Sequence, residues 1–150
     1  MPDVHDRATR SRNMAAIKGK DTKPELIIRK GLHARGFRYR LHDRKLPGRP
    51  DLVLPKYHAV IFINGCFWHG HDCALFKWPG TRQEFWKEKI GANVARDEQN
   101  YAAIDESGWR QAIIWECALK GPGRIEPDQV MNRIAAWLSS DKRNLTIRGA

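Results

Sequence analysis

Three cysteines and one histidine set the strongest constraint on how this chain can fold. Cys66, His71 and Cys73 lie close together in the segment NGCFWHGHDC, and Cys117 ends the apolar segment AIIWEC. Zn²⁺ prefers thiolate and imidazole ligands, and four of them complete a tetrahedral structural site. This pattern predicts a loop tied by zinc to the end of a core strand. The alternative interpretation is that the cysteines are small buried hydrophobic residues.

Two strongly apolar segments predict the centre of a sheet. HAVIFIN (58–64) and WRQAIIWEC (109–117) are apolar on both faces, which is typical of strands covered on each side. A shorter apolar strand is predicted at 51–54, directly after the turn signals of LPGRP, and FRYRL (37–41) alternates like a half-buried strand.

Helices are predicted on either side of these strands. Capping-box patterns at Thr22/Glu25 and Thr81/Glu84 mark two helix starts, and 125–138 has the pattern of a last amphipathic helix. The order of elements predicts an α/β fold, a single domain with a mixed β-sheet flanked by helices.

Charge indicates the kind of partner. Lys and Arg outnumber Asp and Glu by 27 to 17, for a net charge of +10. This favours a polyanion, nucleic acid first, although a merely basic protein has the same composition. We expect a basic arm or short helix at 1–20, a solvated mobile terminus being the alternative. The main domain should span 21–138, followed by a loose polar tail at 139–150.

Localisation is predicted from what the sequence lacks. No apolar run approaches the ~20 residues that span a bilayer, and the first residues show no apolar signal region. Three cysteines without an export signal suggest a reducing compartment. We therefore expect a cytoplasmic, nucleoid-associated protein that does not act at a membrane.

Several residues could carry chemistry, and each also has a simpler explanation. Asp51 at a strand start suits Mg²⁺ binding beside a phosphate, but it could instead cap its own turn. His69 could be a general base, a competing zinc ligand or a solvated loop residue. Glu25 fits the capping box. RPD before a strand resembles the PD-(D/E)xK nuclease layout, but the next strand, VIFINGC, lacks the acid and the lysine.

Aromatic residues are concentrated near the predicted zinc loop. Phe67 and Trp68 lie between zinc-ligand candidates, and Trp86 opens a helix beside Lys87 and Lys89. Rigid aromatic side chains among cations suit stacking on bases or wedging into a base step. Packing of the loop onto the domain would use the same residues.

Taken together, the segments LPGRPDLVL, VIFINGCFWHGHDC, TRQEFWKEKIGANVARD and GWRQAIIWECAL resemble the very short patch repair (Vsr) mismatch endonucleases. The resemblance covers roughly residues 3–138. It implies a PD-(D/E)xK-like (restriction-endonuclease-like) fold with a structural zinc site. It also implies Mg²⁺-dependent nicking of double-stranded DNA on the 5′ side of the thymine in a T:G mismatch.

The resemblance assigns roles to individual residues. It implies Mg²⁺ binding by Asp51 and the Ile63 carbonyl, water activation by His69, and a supporting catalytic acid, Glu25, near His69. The zinc ligands become Cys66, His71, Cys73 and Cys117. The residues that enter the DNA stack become Phe67, Trp68 and Trp86, with Met14 of the arm probing from the other groove.

This chain departs from the family pattern at the start of the loop. Ile63-Asn64 stands where Thr-His is expected, so Asn64 becomes a weaker, uncharged phosphate contact. Gly70 and Asp72 replace part of a histidine run. We expect a monomer that works with other mismatch-repair proteins. The competing hypotheses are a nuclease of the same scaffold without mismatch specificity, and a zinc-stabilised DNA-binding module without catalysis.

Overall fold

The computed structural model describes residues 22–150. The predicted arm at 1–20, including Met14, lies outside the described residues. The described part contains, in chain order, α1 (Lys23–Ala34), β1 (Arg40–Leu41), β2 (Leu52–Leu54), β3 (Ala59–Asn64), α2 (Gln83–Glu106), β4 (Arg110–Trp115), α3 (Pro127–Leu138) and β5 (Asn144–Ile147). Short 3₁₀ turns at Pro55–Tyr57 and Glu116–Ala118 follow β2 and β4.

The five strands form one mixed sheet in the order β1-β2-β3-β4-β5. β1, β2 and β3 pair antiparallel, whereas β3–β4 and β4–β5 pair parallel. The predicted α/β domain with a mixed sheet is therefore confirmed. β3 and β4 are the strands predicted from apolar residues on both faces, and they lie side by side at the centre.

Helices cover both faces of the sheet. α1 and α3 pack on one face, where Ile28 and Ile134 join sheet residues such as Ile61 and Ile114 in the larger core. α2 covers the other face through Ile104, which packs with Val53, Val60 and Phe62. Because successive strand residues point to opposite faces, β3 supplies apolar side chains to both cores, which explains its unbroken apolar sequence.

The two predicted capping boxes have different outcomes. The Thr22 hydroxyl accepts a hydrogen bond from the Glu25 backbone N–H, as predicted, but the Glu25 carboxylate bonds elsewhere. At α2 the predicted cap is wrong, because the N-cap is Arg82 in a left-handed conformation and no side chain caps it. The Arg82 guanidinium instead lies 4.4 Å from the centre of the Phe85 ring.

The predicted loose tail at 139–150 is also corrected. Residues 144–147 form β5, an edge strand that pairs with β4. Ile147 is completely buried, and Leu145 packs against the same core. Pairing with β4 and the burial of these two side chains order the segment. No helix in the described range 22–150 is long and apolar enough to cross a membrane.

Candidate active site

A cleft of about 960 Å³ lies at the end of β3. It is bounded by the start of β2, by the loop that follows β3 and by one face of α2. Because β2 runs antiparallel to β3, Asp51 at the start of β2 lies beside the last residues of β3. The loop and α2 supply His69 and Asp97 to the same cleft. Its basic residues are Arg49, Lys89, Arg96 and Lys120. The cleft thus combines acids, a histidine and cations.

The predicted zinc ligands are gathered at one place. One ligand atom from each of Cys66, His71, Cys73 and Cys117 lies within 4.8 Å of the others. All three cysteines are free thiols, and Cys66, Cys117 and His71 are buried. The His71 ring stacks on Trp115 at 3.9 Å between ring centroids, which fixes its plane. The loop therefore brings two cysteines and His71 next to Cys117 at the end of β4.

Backbone N–H groups are directed at the sulfur atoms of this cluster. The Cys117 N–H donates to Cys66 Sγ and the Gly149 N–H donates to Cys117 Sγ, both at 3.3 Å. Burial raises the pKa of the Cys66 thiol and lowers the pKa of His71. A neutral imidazole is the form that binds metal, and a bound cation would offset the cost of ionising the buried thiols.

Glu25, His42 and Asp51 form a second cluster, and their ligand atoms also lie within 4.8 Å of one another. His42 Nε2 lies 3.1 and 3.0 Å from the two Glu25 carboxylate oxygens. Asp51 Oδ2 accepts a hydrogen bond from the Ile63 N–H at 2.6 Å. Burial, opposed by that hydrogen bond and reinforced by the Glu25 charge, raises the pKa of Asp51 to about 8.

His69 is paired with a carboxylate that the sequence analysis did not select. Its Nδ1 lies 2.5 Å from Asp97 Oδ2, and both side chains are partly exposed to the cleft. Glu25, the acid that the family resemblance places near His69, bonds to His42 and Arg29. Gly70 separates the two histidines with φ +60, and a Cβ there would lie 2.9 Å from Ile90. This turn lets His69 pair with α2 while His71 joins the cysteines.

Asn64 is buried at the end of β3 and is 4% exposed. Its amide donates a 2.6 Å hydrogen bond to the Tyr101 hydroxyl. Burial raises the pKa of Tyr101, and the negative charge of Asp97 raises it further, to about 12. The hydroxyl therefore stays protonated at neutral pH. Tyr101 therefore fixes the amide that the family resemblance assigns to a weak phosphate contact.

The aromatic residues of the loop contact one another. Phe67 lies 5.2 Å from Trp68, 5.4 Å from Trp86 and 5.8 Å from Phe76, measured between ring centroids. Phe67, Trp68 and Trp86 are half-buried, so each of these side chains packs against the protein and also exposes part of its surface. Phe85 and Trp78 are 43% and 45% exposed at the margin of this group, and the sequence analysis did not select them as site residues.

Asp97 and His42 are the main site residues that sequence reasoning missed. Asn93, Asp97 and Tyr101 recur every four residues, so α2 presents one polar stripe to the cleft. That spacing in the middle of a long helix was the available signal. Asn93 donates to the Trp68 carbonyl at 3.0 Å, which holds the loop against the same stripe. His42 carried no comparable signal.

Comparisons with known proteins agree with this geometry. The family model of the DNA mismatch endonuclease Vsr matches residues 2–75. The DNA mismatch endonuclease Vsr of Escherichia coli is 48% identical over 141 residues, covering 94% of this chain and 90% of that protein. The type II nicking enzyme V.XorIIP of Xanthomonas oryzae is 45% identical over 113 residues, covering 75% of this chain and 83% of that enzyme.

A further relative, the type II nicking enzyme V.NmeAIP of Neisseria meningitidis, is 44% identical over 120 residues, or 80% of this chain and 86% of its own. These similarities identify the α/β domain as an endonuclease. The chain belongs to the Vsr DNA mismatch endonuclease family.

Proposed function

We propose that this protein nicks double-stranded DNA on the 5′ side of the thymine in T:G mispairs, with a divalent cation at Asp51 and structural zinc at the cysteine cluster. The observation that carries the proposal is the position of Asp51 and His69 at one cleft bordered by basic residues. One side supplies the partly buried Asp51 carboxylate, and the other supplies a histidine oriented by a second carboxylate. These are the groups that hydrolysis of a phosphodiester requires.

The residues around Asp51 fit a divalent cation. Asp51 and Glu25 are two carboxylates held close together, and Glu25 is only 1% exposed. Burial and the neighbouring Glu25 charge raise the pKa of Asp51, and a bound cation would offset this cost of ionising the carboxyl. Asp51 and the Ile63 carbonyl would hold Mg²⁺, the catalytic cation that the family resemblance implies. When bound, such a cation stabilises negative charge on the scissile phosphate and the leaving oxygen.

The cysteine cluster fits Zn²⁺ equally well. Three thiols and one imidazole are a complete tetrahedral donor set, and N–H groups already point at two of the sulfur atoms. Closed sites of this kind are structural, so the expected role is to fix the loop. The PD-(D/E)xK-like fold that the family resemblance implies would then have this loop in place of the missing acid and lysine.

His69 is the proposed general base. With its Nδ1–H donated to Asp97, the imidazole presents the Nε2 lone pair, which can take a proton from water. Asp97 fixes the tautomer and stabilises the imidazolium that forms, as a carboxylate does behind a catalytic histidine. Glu25 is a supporting acid through its position next to Asp51, not through contact with His69.

Selectivity for mispairs is proposed to come from the aromatic cluster. Phe67, Trp68 and Trp86 brace one another, so inserting a ring into DNA requires little reordering of the protein. Unstacking a base step costs a few kcal/mol, and less at a mismatch, so the rings favour mispaired sites. The proposed site of action is the DNA of the nucleoid in the cytoplasm.

A nicking assay tests the proposal. Duplexes with one T:G mispair and matched duplexes are incubated with the protein in Mg²⁺ or Mn²⁺, and the products are resolved on a denaturing gel. We expect one nick 5′ of the mispaired thymine and none in Asp51→Ala, while Asp141→Ala, a matched change at an exposed carboxylate, keeps full activity. Cleavage by Asp51→Ala at the wild-type rate would refute the site.

A second candidate is a zinc-stabilised DNA-binding module without catalysis. The departure that favours it is Asn64, whose buried amide is already bonded to Tyr101. Binding without a cation-dependent nick would establish that function in place of the first. Equal nicking of T:G and matched duplexes would instead identify a nuclease without mismatch specificity.

A further inference from the structure

His42 is an imidazole at the Asp51 cluster to which the family resemblance gives no role. It follows β1, and its Nε2 lies 3.0 Å from Glu25 Oε2 and 4.0 Å from Asp51 Oδ1. The side chain is 22% exposed, so the ring lies at the border between the carboxylates and solvent. Nitrogen and oxygen donors from three separate segments thus meet at one point.

The surrounding backbone holds the imidazole in this position. His42 has φ +47, a left-handed conformation that a non-glycine residue rarely adopts. Its N–H donates to the Asp51 carbonyl at 3.1 Å, which links the two residues directly. Glu25 does not need His42 for neutralisation alone, because Arg29 lies 3.2 Å from the same carboxylate. The arrangement is therefore more than a single ion pair.

The donor set bears on which cation is preferred. Mg²⁺ favours oxygen ligands and gives up its waters reluctantly. Divalent cations of the first transition row accept imidazole together with carboxylates, and their affinity for nitrogen-containing sites exceeds that of Mg²⁺. Two carboxylates also supply the two negative charges that balance one such ion. A site with one nitrogen and two carboxylates thus suits such a transition cation better than it suits Mg²⁺.

We propose that Glu25, His42 and Asp51 together bind the divalent cation of the cleft, and that the His42 nitrogen makes this site prefer a first-row transition cation to Mg²⁺. The inference deepens the proposed function and rests on it for the cation's role in nicking. It assigns His42 as a ligand that determines metal specificity. It also gives Glu25 a direct role, as a ligand beside Asp51.

Mn²⁺ binding tests this proposal without relying on activity. Mn²⁺ is the probe because thiolate sites do not favour it, so the cysteine cluster competes little. The full chain is titrated with Mn²⁺ and free ion is measured by electron paramagnetic resonance, with Mg²⁺ as competitor. His42→Asn removes the imidazole and retains a residue that tolerates the left-handed conformation. The matched control is His33→Asn, at an exposed histidine near the end of α1.

We expect His42→Asn to weaken Mn²⁺ binding about tenfold or more, because even removal of an outer-shell partner costs 10–100-fold. Mg²⁺ binding should change less than twofold, and His33→Asn should bind both ions like the wild type. Equal Mn²⁺ affinity in His42→Asn and the wild type would overturn the proposal and leave His42 as an ion-pair partner of Glu25.

Two further measurements separate the possible failures. Thermal unfolding of each variant shows whether it is folded, and if His42→Asn is not, the same comparison is made with His42→Gln. Nicking of a T:G duplex is then measured in each cation. Mn²⁺ binding that depends on His42, in a protein that nicks no duplex, would support the site and refute the proposed function. Nicking with Mn²⁺ binding that is independent of His42 would refute only this inference.

Discussion

Replacing Asp51 with asparagine should stabilise the protein when divalent cations are absent from the cleft. The asparagine amide has the same shape as the carboxylate. Its oxygen can accept the 2.6 Å hydrogen bond from the Ile63 N–H, and its NH₂ can donate to the neighbouring Glu25 carboxylate. The substitution therefore removes one buried negative charge and leaves the packing in place.

The size of the effect follows from the pKa of Asp51. Burial, opposed by the Ile63 N–H and reinforced by Glu25, raises that pKa from 3.8 to about 8 in the folded protein. Between these values the folded state holds a proton that the unfolded chain has released. The stability contribution of Asp51 is therefore most favourable below pH 3.8 and is lost as the pH rises through the folded pKa.

Each pH unit in this window costs about 1.4 kcal/mol. The free energy of unfolding thus loses roughly 2 kcal/mol by pH 5 and on the order of 5 kcal/mol by pH 8. Asparagine has no such dependence. Asp51→Asn should therefore stabilise the protein by roughly 3 kcal/mol more at pH 8 than at pH 5.

Urea unfolding at pH 5 and pH 8, followed by tryptophan fluorescence, measures this difference. Mg²⁺ and Mn²⁺ are omitted, and no chelator is added, so that the proposed structural zinc is not removed. Asp141→Asn, at an exposed position, is the matched control and should change the free energy of unfolding by less than about 0.5 kcal/mol at either pH.

The same stabilisation at both pH values would refute the argument that burial raises the pKa of Asp51 in the folded protein. Saturating Mn²⁺ provides a second check. It should raise the stability of the wild type at pH 8 and have little effect on Asp51→Asn, because only the protein with the carboxylate binds the ion well.

Three other predictions concern the loop and its contacts. His69→Ala should lower the nicking rate by about 10²–10⁴-fold while DNA binding is retained. Asp97→Asn should lower the nicking rate by less and should alter the pH–rate profile. Unchanged pH–rate profiles would exclude the pair from proton transfer. Cys117→Ser should lose bound zinc, measured by metal analysis, and lower the melting temperature, whereas equal zinc content would exclude it as a ligand. Trp68→Ala should reduce binding to a T:G duplex by about 1–3 kcal/mol and to a matched duplex by less, measured by fluorescence titration; equal losses would rule out a role in mismatch selection.

The centre of the fold could be predicted because its signals are local. β3 is apolar on both faces, and α3 has its buried residues at helical spacing. The residue pattern of each segment therefore shows which of its faces is buried. β5 was missed because it is only four residues long and takes its order from pairing with β4. A strand stabilised mainly by its neighbour has a weak signal of its own.

The site shows the same division. The cysteines and His71 are close in sequence or end a predicted strand, so their meeting could be inferred. Asp97 lies 28 residues from His69, and only the packing of α2 against the loop brings them together. The position of the His42 side chain depends on the left-handed conformation of His42 itself, directly after a two-residue strand. No periodicity in the sequence reveals that conformation.

The attachment of the loop to the end of β4 has a consequence for the order in which the chain matures. Cys66, His71 and Cys73 leave the ribosome well before Cys117, so the proposed zinc site lacks its fourth ligand until β4 has been synthesised. His69 lies inside that loop, so closure of the proposed site and the contacts of the loop with α2 together hold it in place. A chain that ends before β4 therefore contains the residues proposed for cutting without the geometry that they need. We expect the capacity to nick DNA to arise only when the sheet is complete.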